Sequence, residues 1–118
     1  MKVKAGDIIW LYLGDASGHE QSGRRPALVV SNSLFNEMSS VVLGCPISAG
    51  ARPFPLNVAL DDRTDTQGMV LCAQVRAFDL AARRHQVKER VPTDILAAVH
   101  GIIGAALSAE PDAAGDKS

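Results

Sequence analysis

The sequence predicts a mainly β domain, a small and strongly bent antiparallel sheet or barrel, and three observations predict it. Short runs rich in Val, Ile, Leu or aromatic residues recur between positions 7 and 91. Gly or Pro punctuates the junctions between them, and a sustained helical spacing occurs only near the end of the chain. Closely spaced strands with so few helical signals suit an antiparallel sheet rather than a parallel α/β architecture.

Taken in order, residues 7–13, 26–31 and 41–47 carry the strand signature. Between the second and third, residues 32–38 are expected to form one or two helical turns. Ser31, Asn32 and Ser33 can each cap such a turn, and Leu34, Phe35 and Met38 share a face. Residues 55–60, 68–78 and 85–91 continue the strand pattern, the run at 68–78 being long enough to bend around a barrel corner. Pro92-Thr93-Asp94 then starts a helix in which Ile95, Leu96, Val99, Ile102, Ile103, Ala106 and Leu107 fall at helical spacing, so one face packs on the sheet. Gly101 and Gly104 each cost about 1 kcal/mol relative to Ala in a helix and are expected to let another element approach closely.

A chain of 118 residues holds one domain, expected at residues 1–108, and excludes a multidomain enzyme. No apolar run approaches the roughly 20 residues that span a bilayer, and Met-Lys-Val-Lys-Ala leads into a strand without a signal-peptide core, which predicts a cytoplasmic protein. The formal net charge of -1 argues against a polybasic binder, yet residues 1–92 hold eleven Lys or Arg against nine acids, a mildly basic body. Residues 109–118 lack any large apolar side chain and are expected to form a disordered acidic tail. Cys45 and Cys72 lie in apolar runs without zinc spacing, as buried reduced thiols do. With no Gly-rich phosphate loop, no dinucleotide fingerprint and no His or Cys pair at ligand spacing, neither a metal nor another cofactor is expected.

Three polar islands interrupt the strands. Gly18-His19-Glu20-Gln21-Ser22-Gly23-Arg24-Arg25-Pro26 gathers a base, an acid, an amide and two guanidinium groups before a strand. Arg25, followed by a φ-locked Pro and an apolar run, is held at a strand start as an Arg suited to phosphate; alternatively Arg24 and Arg25 are solvated and Glu20 is their ion-pair partner. In Pro46-Ile47-Ser48-Ala49-Gly50-Ala51-Arg52, Ser48 offers a hydroxyl to a phosphate oxygen or caps a turn. Gln74 and Arg76, two apart on the expected long strand, face one side and line a groove or meet solvent. His100 is flanked by the helix's apolar stripe, a structural setting, and His85 lies in a charged strand; only His19 sits among catalytic residue types.

The order of these motifs resembles the MazF/PemK/Kid toxins of bacterial toxin–antitoxin systems. The resemblance is carried by Gly6-Asp7-Ile8-Ile9-Trp10, Gly18-His19-Glu20-Gln21, Gly23-Arg24-Arg25-Pro26, Phe35-Asn36, Cys45-Pro46-Ile47-Ser48, Phe54-Pro55, Gly68-Met69-Val70-Leu71 and Gln74-Val75-Arg76-Ala77-Phe78-Asp79. It implies a small SH3-like antiparallel barrel and a homodimer. It also implies a metal-independent endoribonuclease that cuts single-stranded RNA at short sequences, leaving 2′,3′-cyclic phosphate and 5′-hydroxyl ends, and a cognate antitoxin whose disordered, often acidic segment covers the basic surface. Arg25 matches the family's catalytic arginine and Ser48 the position where relatives usually carry Thr; His19 or Glu20 is the general base. Gln21, Arg24, Arg52, Phe54, Gln74 and Arg76 are the candidates for RNA contact, while Trp10 stacks a base or fills core. Ala73 departs from the acid many relatives place before the equivalent of Gln74, so the cleavage sequence is expected to differ. Two other readings of the same fold are a barrel that binds RNA but has lost catalysis, and a CcdB-type gyrase poison, which requires an aromatic residue near the C-terminus that this chain lacks.

Overall fold

The computed structural model describes residues 2–12 and 23–110. Among the described residues seven strands, β1 (Asp7–Tyr12), β2 (Arg24–Val29), β3 (Val42–Ser48), β4 (Asn57–Ala59), β5 (Met69–Leu71), β6 (Arg76–Phe78) and β7 (His85–Arg90), form an antiparallel sheet. Helix α1 (Ser33–Ser39) follows β2, and α2 (Thr93–Leu107) follows β7. The strand order is β4-β5-β3-β2-β1-β7, and β6 also pairs with β3. Strand β3 is the corner: Val42–Gly44 pairs with β6, while Ile47 and Ser48 pair with β5.

Alternation along the strands buries both faces of this sheet. Ile8, Leu28, Cys45 and Ile47 join Val70, Val91, Ile95 and Val99 in a core under α2. Their neighbours Ile9, Leu11, Ala27, Val29 and Val42 face the other way and pack with Val3, Phe78 and Leu80. Each fully buried aliphatic side chain contributes about 1.5–3 kcal/mol, so two small cores do the work one large core cannot in a chain this short. Cys45 and Cys72 are free and buried, and burial, reinforced by the neighbouring Cys72, pushes the Cys45 thiol up to about 12.

The expected strand at 68–78 is broken. Strand β5 ends at Leu71, a 3-10 turn occupies Cys72–Gln74, and β6 begins at Arg76. The chain carries more residues between Val70 and Arg76 than β3 has between Ile47 and Gly44, and the turn winds up the excess. Gln74 therefore lies on a turn and Arg76 on a strand, so simple alternation does not relate them.

Helix α1 starts as expected, with the Asn32 side chain accepting from the Phe35 amide at 2.9 Å. Its shared apolar face nevertheless points outward: Leu34 is 69% and Met38 79% exposed, whereas Asn36 is buried. Asn36 donates to the Val3 and Ser31 carbonyls at 2.7 and 3.1 Å and accepts from the Ser31 hydroxyl, which in turn accepts from the Leu43 amide. A satisfied amide thus ties the N-terminal segment, α1 and β3 together, and turning the helix to bury Leu34 would strand those groups. Gly101 and Gly104 meet nothing within 4 Å of an added Cβ, so no element of the described chain uses the expected close approach. Among the described residues no helix is long and apolar enough to cross a membrane. The acidic tail expected from residue 109 lies outside the described residues from 111 onward.

Candidate active site

A cleft of about 640 Å³ opens where β1, β2 and β3 meet the loop between β4 and β5. Arg24, Arg25 and Ser48 line it together with Trp10, Pro46 and the segment Asp65, Thr66 and Gln67. Register places the arginines: Arg24 and Arg25 pair with Tyr12 and Leu11, and Pro26 with Trp10. A residue before proline is confined to extended backbone, so Arg25 is fixed in the strand while its guanidinium stays exposed. The Arg24 guanidinium lies 4.7 Å from the Trp10 ring centroid, which holds that cation in the cleft. Trp10 accordingly serves both core and cleft, packing partly against the buried cluster, and its indole N–H is buried with no acceptor among the described residues.

A smaller hollow of about 170 Å³ adjoins the cleft and shares Arg25, Pro26, Pro46 and Ile47 with it. Gln74 and Arg76 line this second space, and the Arg76 guanidinium rests 5.0 Å from the Phe78 ring centroid. Arg25 therefore stands between two cavities, with one further arginine in each. Three guanidinium groups at adjoining hollows create a field suited to a chain of phosphates.

Ser48 ends β3 opposite Met69. Its backbone is fixed by Gly68, whose φ is +124° and whose missing Cβ would stand 2.5 Å from the Ser48 carbonyl oxygen. Only glycine allows this approach and this backbone conformation together.

The opposite wall is held by side chains. The Glu89 carboxylate accepts from the Asp65 amide at 3.0 Å, the Thr66 amide at 2.8 Å and the Thr66 hydroxyl at 2.7 Å. Thr64 donates to the Thr66 carbonyl at 2.7 Å. Arg63 bridges Asp61 and Asp94, fastening the loop to the start of α2. Burial alone would raise the Glu89 carboxyl, but the Thr66 hydroxyl and the two amides, with Lys88 nearby, hold it below its ordinary range. Hydrogen bonds from Arg63 likewise lower Asp61 and Asp94.

Of the residues singled out in the sequence, Arg24, Arg25 and Ser48 converge in the cleft and Gln74 and Arg76 in the hollow beside it. Arg52 and Phe54 stand exposed between β3 and β4, outside the lining of either space. His19, Glu20 and Gln21 lie outside the described residues. His100 is structural, its Nε2 2.8 Å from the Val30 carbonyl oxygen. Sequence reasoning missed Asp65, Thr66, Gln67 and Glu89; the available signal was a polar run, Asp-Thr-Gln, before a glycine that a strand follows.

Two arginines and a serine lining one cleft, carried by a small bent antiparallel sheet, make a site whose chemistry suits an anion. Residues 4–107 match the family of PemK-like, MazF-like toxins of type II toxin–antitoxin systems, and the chain belongs to that family. It is 34% identical over 110 residues to the endoribonuclease PemK of Escherichia coli, covering 90% of this chain and 83% of that protein. Against the endoribonuclease toxin ChpB of Escherichia coli strain K12, identity is 45% over 87 residues, or 70% of this chain and 74% of the relative. A chain of the MazE–MazF crystal structure from Deinococcus radiodurans superposes with a TM-score of 0.76 at 32% identity, over 89% of this chain and 94% of that one.

Proposed function

We propose that this chain is the toxin of a type II toxin–antitoxin pair and an endoribonuclease that cleaves single-stranded RNA without a metal, with Arg25 as its central catalytic group. The observation that carries the proposal is the convergence of Arg25 and Ser48 on one cleft, at a strand junction that fixes both backbones. The RNA 2′-oxygen attacks the adjacent phosphorus and the bond to the 5′-oxygen breaks, leaving a 2′,3′-cyclic phosphate and, after protonation, a 5′-hydroxyl. Charge accumulates on the non-bridging oxygens as the phosphorane forms. A guanidinium stays charged throughout and offers paired donors to those oxygens, which is the part assigned to Arg25. Ser48 donates a hydrogen bond to the same phosphate. His19 or Glu20 removes the 2′-proton, and Gln21, Arg24, Arg52, Phe54, Gln74 and Arg76 contact the RNA on either side.

The working unit is a cytoplasmic homodimer, with residues 1–108 as the toxin domain and the acidic tail outside it. Support for a second copy comes from α2, where Ile103, Gly104 and Leu107 with Val30, Leu43 and Val75 surround an apolar hollow of about 480 Å³. Leu107 is 80% exposed there, and Gly101 and Gly104 leave the helix backbone bare. The cognate antitoxin binds through an acidic segment that folds over the arginines of the cleft.

The test is incubation of the purified protein with a long unstructured RNA in the presence of a chelator, alongside Arg25→Ala. Discrete cuts with 2′,3′-cyclic phosphate ends are expected, and Arg25→Ala should lose about 10²–10³-fold in rate, the usual cost of one transition-state donor. A folded wild-type dimer that cuts none of several RNAs would overturn the proposal in favour of an RNA-binding barrel without catalysis.

A further inference from the structure

Glu89 is remote from the cleft in sequence and does not line it, yet it accepts hydrogen bonds from two consecutive residues that do. Strand β7 meets β1 with a register shift: Ile8 pairs with Glu89 and Ile9 with Val87, leaving Lys88 as the extra residue of a bulge. Glu89 follows that bulge directly, on the strand at one end of the sheet, and reaches the loop that leads into β5 near the other end. Three donors converge on its two oxygens, which suits a carboxylate and nothing else among the side chains: a carboxylate only accepts. Thr66 is thereby drawn in to 5% exposure, while Asp65 and Gln67 on either side of it stay exposed and line the cleft.

We infer that Glu89 is a positioning residue of the ribonuclease, acting through Asp65–Gln67 to hold the wall that fits the nucleotide beside the scissile phosphate and so helps set which sequences are cut. This rests on the function proposed above. Asp65 and Gln67 bring a carboxylate and an amide to the cleft that Ser48 also lines, and such groups read the hydrogen-bonding edges of unstacked bases. A wall displaced by about 1 Å loses that reading while Arg25 and Ser48, held in the strands, stay in place.

The discriminating variant is Glu89→Gln, of the same size but with an NH₂ group that must oppose one of the three donors. Without RNA, amide hydrogen exchange should quicken at Asp65 and Thr66 and remain unchanged in β1–β3. With RNA, KM for the preferred site should rise about 10-fold, kcat should change less than about 3-fold, and the cut-site profile should broaden. Adding Gln67→Ala should worsen KM by less than Gln67→Ala does alone in the wild type, because both changes act through one wall. Fully additive effects, a loss confined to kcat, or an unchanged cut-site profile would overturn the inference. Should wild type fail to cut RNA, the function proposed above fails, and the exchange experiment still decides whether Glu89 holds the wall.

Discussion

On one side of the cleft Arg25 and Ser48 sit in strands whose backbones are engaged by the neighbouring ladders, whereas on the other Asp65, Thr66 and Gln67 belong to an irregular loop in which the Asp65 and Thr66 amides end on the Glu89 carboxylate. The first side is backed by both cores, with Leu28 and Ala27 buried just behind the arginines. The second depends on Glu89, Thr64 and the Arg63 bridge. Backbone ladders barely respond to pH or salt; charge-assisted pins respond to both. Arg25 and Ser48, proposed to act on the phosphate, thus occupy the insensitive wall, and Asp65 and Gln67, suited to choosing a substrate, occupy the tunable one.

Gly68 is the joint between the two sides, and altering it should have the largest effect. Gly68→Ala sets a Cβ against the Ser48 carbonyl in a backbone conformation with positive φ. About 2–4 kcal/mol of stability should be lost, measured by urea unfolding, and activity should fall with it because Ser48 must move. A stable and fully active variant would mean that the strand side does not depend on this close approach.

Acid should separate the two sides. The Glu89 carboxyl titrates below its ordinary value of 4.5, so its contribution is fully present above that value and disappears as pH falls through the lower, folded one. Amides of residues 65 and 66 should keep their protection from pH 7 to about 5 and lose it in more acid solution, before those of β2 and β3. Simultaneous loss in both regions would remove the distinction. The smallest effect belongs to Arg63, an exposed cation between two exposed carboxylates. Arg63→Ala should change KM by about twofold at most, and in 1 M salt, where the screening length is about 3 Å, the difference should vanish.

Much of the strand-built side was legible in the sequence because its determinants are local. A proline after Arg25, alternation through Ala27, Leu28 and Val29, and a hydroxyl at the end of an apolar run all lie within a few residues of the groups they position. The pinned wall was not legible, since the partner of Thr66 arrives 23 residues later on a strand whose place beside β1 only tertiary pairing decides. The break in the run at 68–78 escaped for a related reason: Met69, Val70, Leu71 and Val75 look continuous, and the turn exists only because both ends must serve β3. Helix α1 showed the opposite failure, where apolar spacing was real but one buried amide, Asn36, overruled it.

Strand β1 lies between β2 and β7, and its Asp7 is bonded to Arg90 at 2.7 Å across a sequence separation of 83 residues. Closing so long a loop spends chain entropy before the ladder repays it, so this pairing is among the slow events of folding. During synthesis the segments bearing Arg25, Ser48, Gln74 and Arg76 emerge first, but Glu89 and α2 come last, and until they dock the β1 edge is open and the core beneath α2 is uncovered. The order in which the chain is made therefore delays completion of the cleft until nearly every residue of the domain is outside the ribosome.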